Sequence, residues 1–284
     1  MIVDSHVHIF PPEFLRDRQS LLTTDKTFNE LYSNSRSKIV TVEDLIETMD
    51  ETGVDVSVVM GIGWTNPELA EKSNQYISES CLRFSDRLIG FGSIDLSSMN
   101  AVDQIKNCAD IGLKGIGELH LDHQLFSEGG YELMTSVIQE IKAEDLILSI
   151  HCSEPLGHLY PGKGTNTPEK LEKLLKLAEG VKLILSHWGG GLPFYALMPE
   201  IKKLSESVFF DTAASPFLYE RKIYEIVNSV VGPNHILAAS DYPLLKFSRI
   251  KNEIEQSNIP NDGQKLILGD NAKTLFNLPE NYFA

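Results

Sequence analysis

The sequence predicts an α/β protein, a single (β/α)8 TIM barrel with a long loop after its first strand. Three observations lead there. Short apolar runs rich in Val, Ile, Leu and Phe recur eight times, segments with helical spacing separate them, and 284 residues suit one barrel of about 250 residues with room for an insertion. No Pro/Ser-rich linker, low-complexity tract or shift of composition divides the chain, so one domain is expected over 1–284.

The first run is IVDSHVHI at 2–9. Residues 10–40, beginning FPPEF and rich in Ser, Thr, Asn and Asp, then separate it from its helix by far more than an ordinary βα connection, which marks a functional loop or lid or, on loop statistics alone, a mobile surface insertion with no role. The first helix is TVEDLIETMDETG, in which Thr41 and Asp44 have capping-box spacing and Gly53 stops the helix. VDVSVVMGI at 54–62 follows, then the amphipathic PELAEKSNQYISESCLRF. The remaining runs are LIGFGSI at 88–94, LKGIGELHL at 113–121, LILSIH at 146–151, KLILSH at 182–187, VFFDTA at 208–213 and ILAASD at 236–241. TPEKLEKLLKLAEG and FLYERKIYEIVNSV are the clearest of the later helices.

Charge narrows the partners. With 25 Lys and Arg against 40 Asp and Glu the net charge is −15, which repels nucleic acid and anionic membranes unless a local basic stripe exists, and none is visible. No run of about 18 apolar residues could span a bilayer, and Cys81, Cys108 and Cys152 form neither a CxxC pair nor an even framework. A cytoplasmic protein is expected.

His6 and His8 stand two apart in the first run, so both imidazoles project from one face of a strand. The pair alone carries little weight, but Glu118, His151, His187 and Asp241 stand at the C-terminal ends of the fourth, fifth, sixth and eighth runs. In a parallel barrel these ends share one rim. Three or four imidazoles with one or two carboxylates match Zn²⁺ or a similar divalent ion that keeps a position open for water. Singly, each has an ordinary alternative: a capping or paired Glu118, satisfied core histidines at 151 and 187, a turn cap at Asp241 before Tyr242-Pro243. Their joint occurrence inside apolar runs, where unpartnered polar groups are costly, decides for convergence.

Substrate contacts are expected from His120, which shares the face of Glu118, and from Trp64 and Trp188, which follow the second and sixth runs. Core packing is the competing reading for both tryptophans. Gly189-Gly190-Gly191 lacks phosphate-loop spacing and reads as backbone room. His123 and His158 fall in loops, and His235 at the opposite end of the barrel.

These motifs resemble the amidohydrolase superfamily of metal-dependent hydrolases, in the amidohydrolase-related branch (amidohydrolase family 2) that also holds nonoxidative decarboxylases. DSHVHIF at 4–10, the His151 strand end, LSHWGGGLPFY at 185–195, SDYP at 240–243 and LGDNAKTLFNL at 268–278 carry the likeness over the whole chain. It implies His6, His8, His151 and Asp241 as metal ligands, Asp241 also as base, and His187 as a further ligand or a catalytic group facing the substrate. Glu118 looks like the strand-4 carboxylate of TatD-type metallohydrolases, which helps to hold a second metal. One Zn²⁺ is the first expectation, two ions the alternative, and another divalent metal such as Mn²⁺ is compatible.

The function so implied is hydrolysis of a small amide, ester or lactone by metal-activated water. The alternatives are a nonoxidative metal-dependent decarboxylase, with Arg16, Arg18 or Arg36 as carboxylate clamp, and a TatD-like phosphodiesterase, against which the net charge weighs. The partner is a small-molecule substrate, with no nucleic acid and no membrane, and a homodimer is compatible.

Overall fold

Eight parallel strands lie in sequence order, each hydrogen-bonded to the next. The computed structural model describes residues 1–96, 98–122 and 130–279, the side chains of 130–133 apart. The strands are β1 (Val3–His8), β2 (Val56–Met60), β3 (Leu88–Gly92), β4 (Gly115–Leu119), β5 (Ile147–Ile150), β6 (Leu183–Leu185), β7 (Val208–Asp211) and β8 (Ile236–Leu237). Each falls inside one of the eight apolar runs. Near-continuous burial along them is what a sheet covered on both faces requires.

Alternation in β2 shows how the core divides. Val56, Val58 and Met60 join Phe91, Ile184 and Leu237 in the barrel interior, closed below by Ala272 and Leu275. Val59 faces the other way, into the larger layer that holds Leu45 and Met49 of the helix Val42–Thr52. That helix begins on the expected capping box of Thr41 and Asp44 and ends at Gly53, whose φ of 70° is the left-handed conformation that a side chain resists. Among the described residues no helix is long and apolar enough to cross a membrane.

The segment after β1 differs from the expected loop. It folds into three short helices, Pro12–Arg16, Arg18–Thr24 and Lys26–Tyr32, because Phe10, Phe14, Leu21, Phe28 and Tyr32 bury themselves around Trp64 in a third cluster. Asp25 fastens this unit to the chain beyond β2, its Oδ2 accepting from the backbone N–H of Thr65 and Asn66 at 2.7 and 2.9 Å. It is a fixed wall above the barrel. The remaining loop, 33–41, reaches the cavity described below.

The ring closes between β8 and β1 without a regular ladder. Ser5 N–H donates to Ala238 O at 2.9 Å, and His8 N–H to Tyr242 O at 2.7 Å. The buried Asp4 carboxylate accepts from Ser240 N–H at 2.9 Å and Ser240 Oγ at 2.5 Å. This seam carries Asp241 to the side of His6 and His8. Ser240→Ala leaves a buried carboxylate short of a donor, so it should lower unfolding free energy by about 1–3 kcal/mol in chemical denaturation. An unchanged midpoint would contradict the assigned role of the seam.

Candidate metal centre

The predicted side chains converge at the C-terminal mouth of the barrel. His6 and His8 project from one face of β1, with His8 its last residue; Glu118 lies in β4, His151 follows β5 directly, His187 lies two residues past β6, and Asp241 four past β8. All six line up in two groups of potential metal ligands, His6, His8 and Asp241 in one and Glu118, His151 and His187 in the other. Asp241 Oδ1 lies 3.3 Å from His8 Nε2. Glu118 links the groups, its Oε1 3.3 Å from both His151 Nδ1 and His187 Nε2 and its Oε2 3.7 Å from His6 Nε2.

Four acceptors fix the imidazoles from behind. His6 Nδ1 lies 2.9 Å from Asp211 Oδ2, His8 Nδ1 3.1 Å from Met60 O, His151 Nε2 2.9 Å from Gly162 O, and His187 Nδ1 3.1 Å from Ala213 O. A carboxylate or carbonyl can only accept, so each of these nitrogens carries the ring N–H and donates. The opposite nitrogens are then bare lone pairs. They face one another, His6 Nε2 to His8 Nε2 at 3.0 Å and His187 Nε2 to His151 Nδ1 at 3.2 Å. Two lone pairs at such distances need a cation or a proton between them. The donor set, imidazole nitrogen with carboxylate oxygen, suits a borderline divalent ion.

Proton affinities follow the same geometry. Burial opposes charge on His6, but the carboxylates of Glu118 and Asp211 outweigh it and raise the imidazole to about 9. Burial is likewise outweighed at His187, where a hydrogen bond with Glu118 and its charge, aided by Asp241, raise the ring to about 10. Glu118 is held well below the usual carboxylate range: burial would raise it, and His151 and His6 overcome that. Asp241 is lowered against its burial by the close approach of His8 and the charge of His6.

Backbone strain accompanies the site. His187 and Trp188 take left-handed φ values of 56° and 58°, and Asp241 one of 61°, conformations that cost of order 1–3 kcal/mol each in non-glycine residues. Asp211 Oδ1 holds the first of them by accepting from His187 N–H at 2.8 Å. Gly190 completes the turn, where an added Cβ would lie 2.4 Å from Ser153 O.

Three expectations about substrate contacts are corrected. Trp64 is fully buried among Phe10, Phe14 and Phe28, since the helices after β1 cover it. Trp188 is equally buried, donating from Nε1 to Ser215 Oγ at 2.9 Å and meeting Tyr224 edge-on, because the left-handed turn rotates it away from the mouth. His120 does not line the cavity. It stacks behind His151 with ring centroids 4.2 Å apart, and burial with the charge of His151 pushes it down to about 3. His235 sits below β8, bonded through Nδ1 to Val208 O. His123 lies outside the described residues.

A cavity of about 380 Å³ opens above the donors. His8, Glu118, His151, His187 and Asp241 form its floor, and Leu31, Tyr32, Pro161, Phe217, Leu218 and Leu244 supply walls. Sequence reading missed three residues here. Asp211 is the last residue of β7, but in the sequence it stands inside the seventh run, which Thr212 and Ala213 continue. Tyr32 and Lys38 come from the long segment, where nothing in the pattern indicates which side chains turn inward.

A barrel with a candidate metal centre of imidazoles and carboxylates at its C-terminal mouth belongs to the class of metal-dependent barrel enzymes. The amidohydrolase family model matches residues 3–278, and the chain belongs to that family. Solved structures agree on the fold. The 5-carboxyvanillate decarboxylase of Sphingomonas paucimobilis is 17% identical with a TM-score of 0.73, covering 98% of this chain and 99% of its own. The enzyme of the same activity from Novosphingobium aromaticivorans, complexed with manganese and 4-hydroxy-3-methoxy-5-nitrobenzoic acid, is 19% identical with a TM-score of 0.75 over 98% and 96%. A 2,6-dihydroxybenzoate decarboxylase from Rhizobium is 17% identical with a TM-score of 0.70 over 98% of each chain. No curated protein matches the sequence.

Two outcomes follow for metal binding. Because the folded-state values of His6 and His187 stand above neutrality, cation binding near pH 7 must expel protons, and affinity should rise from about pH 6 towards pH 9. Calorimetry in buffers of different ionisation enthalpy reads that release, and its absence would contradict the assigned ring states. Asp211→Asn, which loosens His6 and the His187 backbone together, should weaken metal affinity roughly 10- to 100-fold in a chelator competition. Unaltered affinity would refute the supporting role of Asp211.

Proposed function

We propose that the protein is a metal-dependent nonoxidative decarboxylase of a small aromatic acid. The observation that carries this reading is the cavity: a polar floor of metal-type donors beneath walls of Leu31, Tyr32, Pro161, Phe217, Leu218 and Leu244. Such walls suit a flat ring and shed water. Water is the reactant of a hydrolase, whereas loss of CO₂ consumes none and is helped when a carboxylate exchanges solvent for a fixed, largely apolar enclosure. The named activities of the structural neighbours point the same way.

A divalent cation held by His6, His8, His151 and Asp241, with Glu118 and His187 available to it or to a second ion, would supply Lewis-acid polarisation of the substrate's oxygens. The chain's own residues do the rest. As the bond from ring carbon to carboxylate breaks, CO₂ leaves and the ring carbon needs a proton. Asp241 is placed to relay it: its carboxylate forms part of the cavity floor, takes up a proton from the solvent or a substrate hydroxyl, and releases it at carbon. Its left-handed backbone, tied through N–H to His6 O at 3.0 Å, fixes the angle of approach.

A second reading, hydrolysis, is favoured by Glu118. Its position between the two donor groups gives six ligand side chains, enough for a two-ion site of the kind that activates water. One experiment separates the readings. The protein loaded with Mn²⁺ or Zn²⁺ is incubated with hydroxybenzoic acids and with amide, ester and lactone substrates, following CO₂ and product mass. Decarboxylation is expected, and Asp241→Asn should cost about 10²-fold or more in rate. Products whose summed mass exceeds the substrate by one water, an acid with its amine or alcohol or a ring-opened hydroxy acid, without CO₂, would replace the first reading with the second.

A further inference from the structure

One cation faces the cavity. Lys38 is the single lysine or arginine among its described lining residues, in a chain that carries 25 basic against 40 acidic side chains. Some exposed cations are paired, as Lys246 Nζ is with Glu51 at 2.6 Å and Arg83 Nη2 with Glu43 at 2.7 Å, but none of these lines the cavity. Among the described residues Lys38 has neither ion pair nor hydrogen bond. In so acidic a protein, an ammonium kept apart from carboxylates at a cavity wall is free to receive an anion from outside.

The placement is built by its neighbours. Arg18 donates from Nη1 to Ser37 O at 2.9 Å and from Nη2 to Tyr32 O and Asn34 O, both at 2.7 Å. This corrects the expectation that Arg18 clamps a carboxylate: its guanidinium is consumed in fastening the loop that presents Lys38. Arg16 and Arg36 do not line the cavity either. On the far side, Phe10 N–H donates to Val40 O at 2.8 Å, tying the chain to the end of β1. Lys38 thus stands between two anchored points, Ser37 and Val40, and Tyr32 from the same segment lines the wall.

We propose that Lys38 is the specificity-determining residue of this cavity, pairing with a second anionic group on an aromatic acid whose first carboxylate lies over the donor floor. The preferred ligands are therefore aromatic diacids. This rests on the reading of the cavity as an aromatic-acid site, though not on the reaction performed there.

Binding of benzoate and of benzene-1,3-dicarboxylate to the Mn²⁺-loaded protein, measured by calorimetry at low and high salt, tests the assignment. The wild type should bind the diacid roughly tenfold more tightly, on the scale of one charge-assisted contact, with the margin shrinking as salt rises. Lys38→Gln should erase the margin and Lys38→Arg should keep it, while benzoate affinity stays unchanged in both. A margin that survives in Lys38→Gln, equal affinities in the wild type, or binding of neither acid would overturn the proposal. Since the readout is binding, a protein that fails to release CO₂ yet shows the margin refutes the decarboxylase reading and leaves Lys38 in place.

Discussion

Four imidazoles, each donating its ring N–H outward, are left with lone pairs that point at one another across about 3 Å. That arrangement is unfavourable in an empty low-dielectric site and favourable around positive charge. Much of the surrounding structure serves to hold it. Asp211, Met60 O, Gly162 O and Ala213 O set the tautomers, and the carboxylates of Glu118, Asp211 and Asp241, the first two buried, supply the negative field that draws a cation inward. The same field, when no metal is bound, raises His6 and His187 and makes protons the competing occupants.

The barrel makes the arrangement possible because parallel strands deliver residues remote in sequence to one rim. The delivery is imperfect at β6 and β8, which are short, and there the chain reaches the site through left-handed residues at His187 and Asp241. Hydrogen bonds offset that strain: Asp211 on the His187 backbone, His6 O on the Asp241 N–H, and Asp4 on Ser240 beside it. Metal-type ligands and closure of the ring thus depend on the same few contacts. The helices after β1 complete the pocket from above, adding apolar wall and one ammonium.

The fold was legible because burial on both faces of a barrel strand leaves a plain mark, a short run of Val, Ile, Leu and Phe, and eight such marks read in order. The six candidate ligands were legible for the complementary reason that a polar residue ending such a run stands out. Asp211 bears that mark less plainly, because Thr212 and Ala213 carry its run on past the carboxylate. Trp64 and Trp188 show the limit. A large aromatic next to a site residue suits either wall or core, and the outcome rested on long-range facts, the cover of three helices over one and a left-handed turn under the other. Lys38 and Tyr32 were illegible for a further reason: an irregular segment has no period, so nothing tells inward from outward.

Anomalous diffraction from crystals grown with Mn²⁺ or Zn²⁺, collected on either side of the metal edge, tests the central claim most directly. The account predicts a peak within bonding distance of the bare nitrogens of His6 and His8 and of Asp241, with room for a second beside Glu118, His151 and His187. A metal bound elsewhere, or imidazoles that keep their 3 Å contacts with no ion among them, would contradict it.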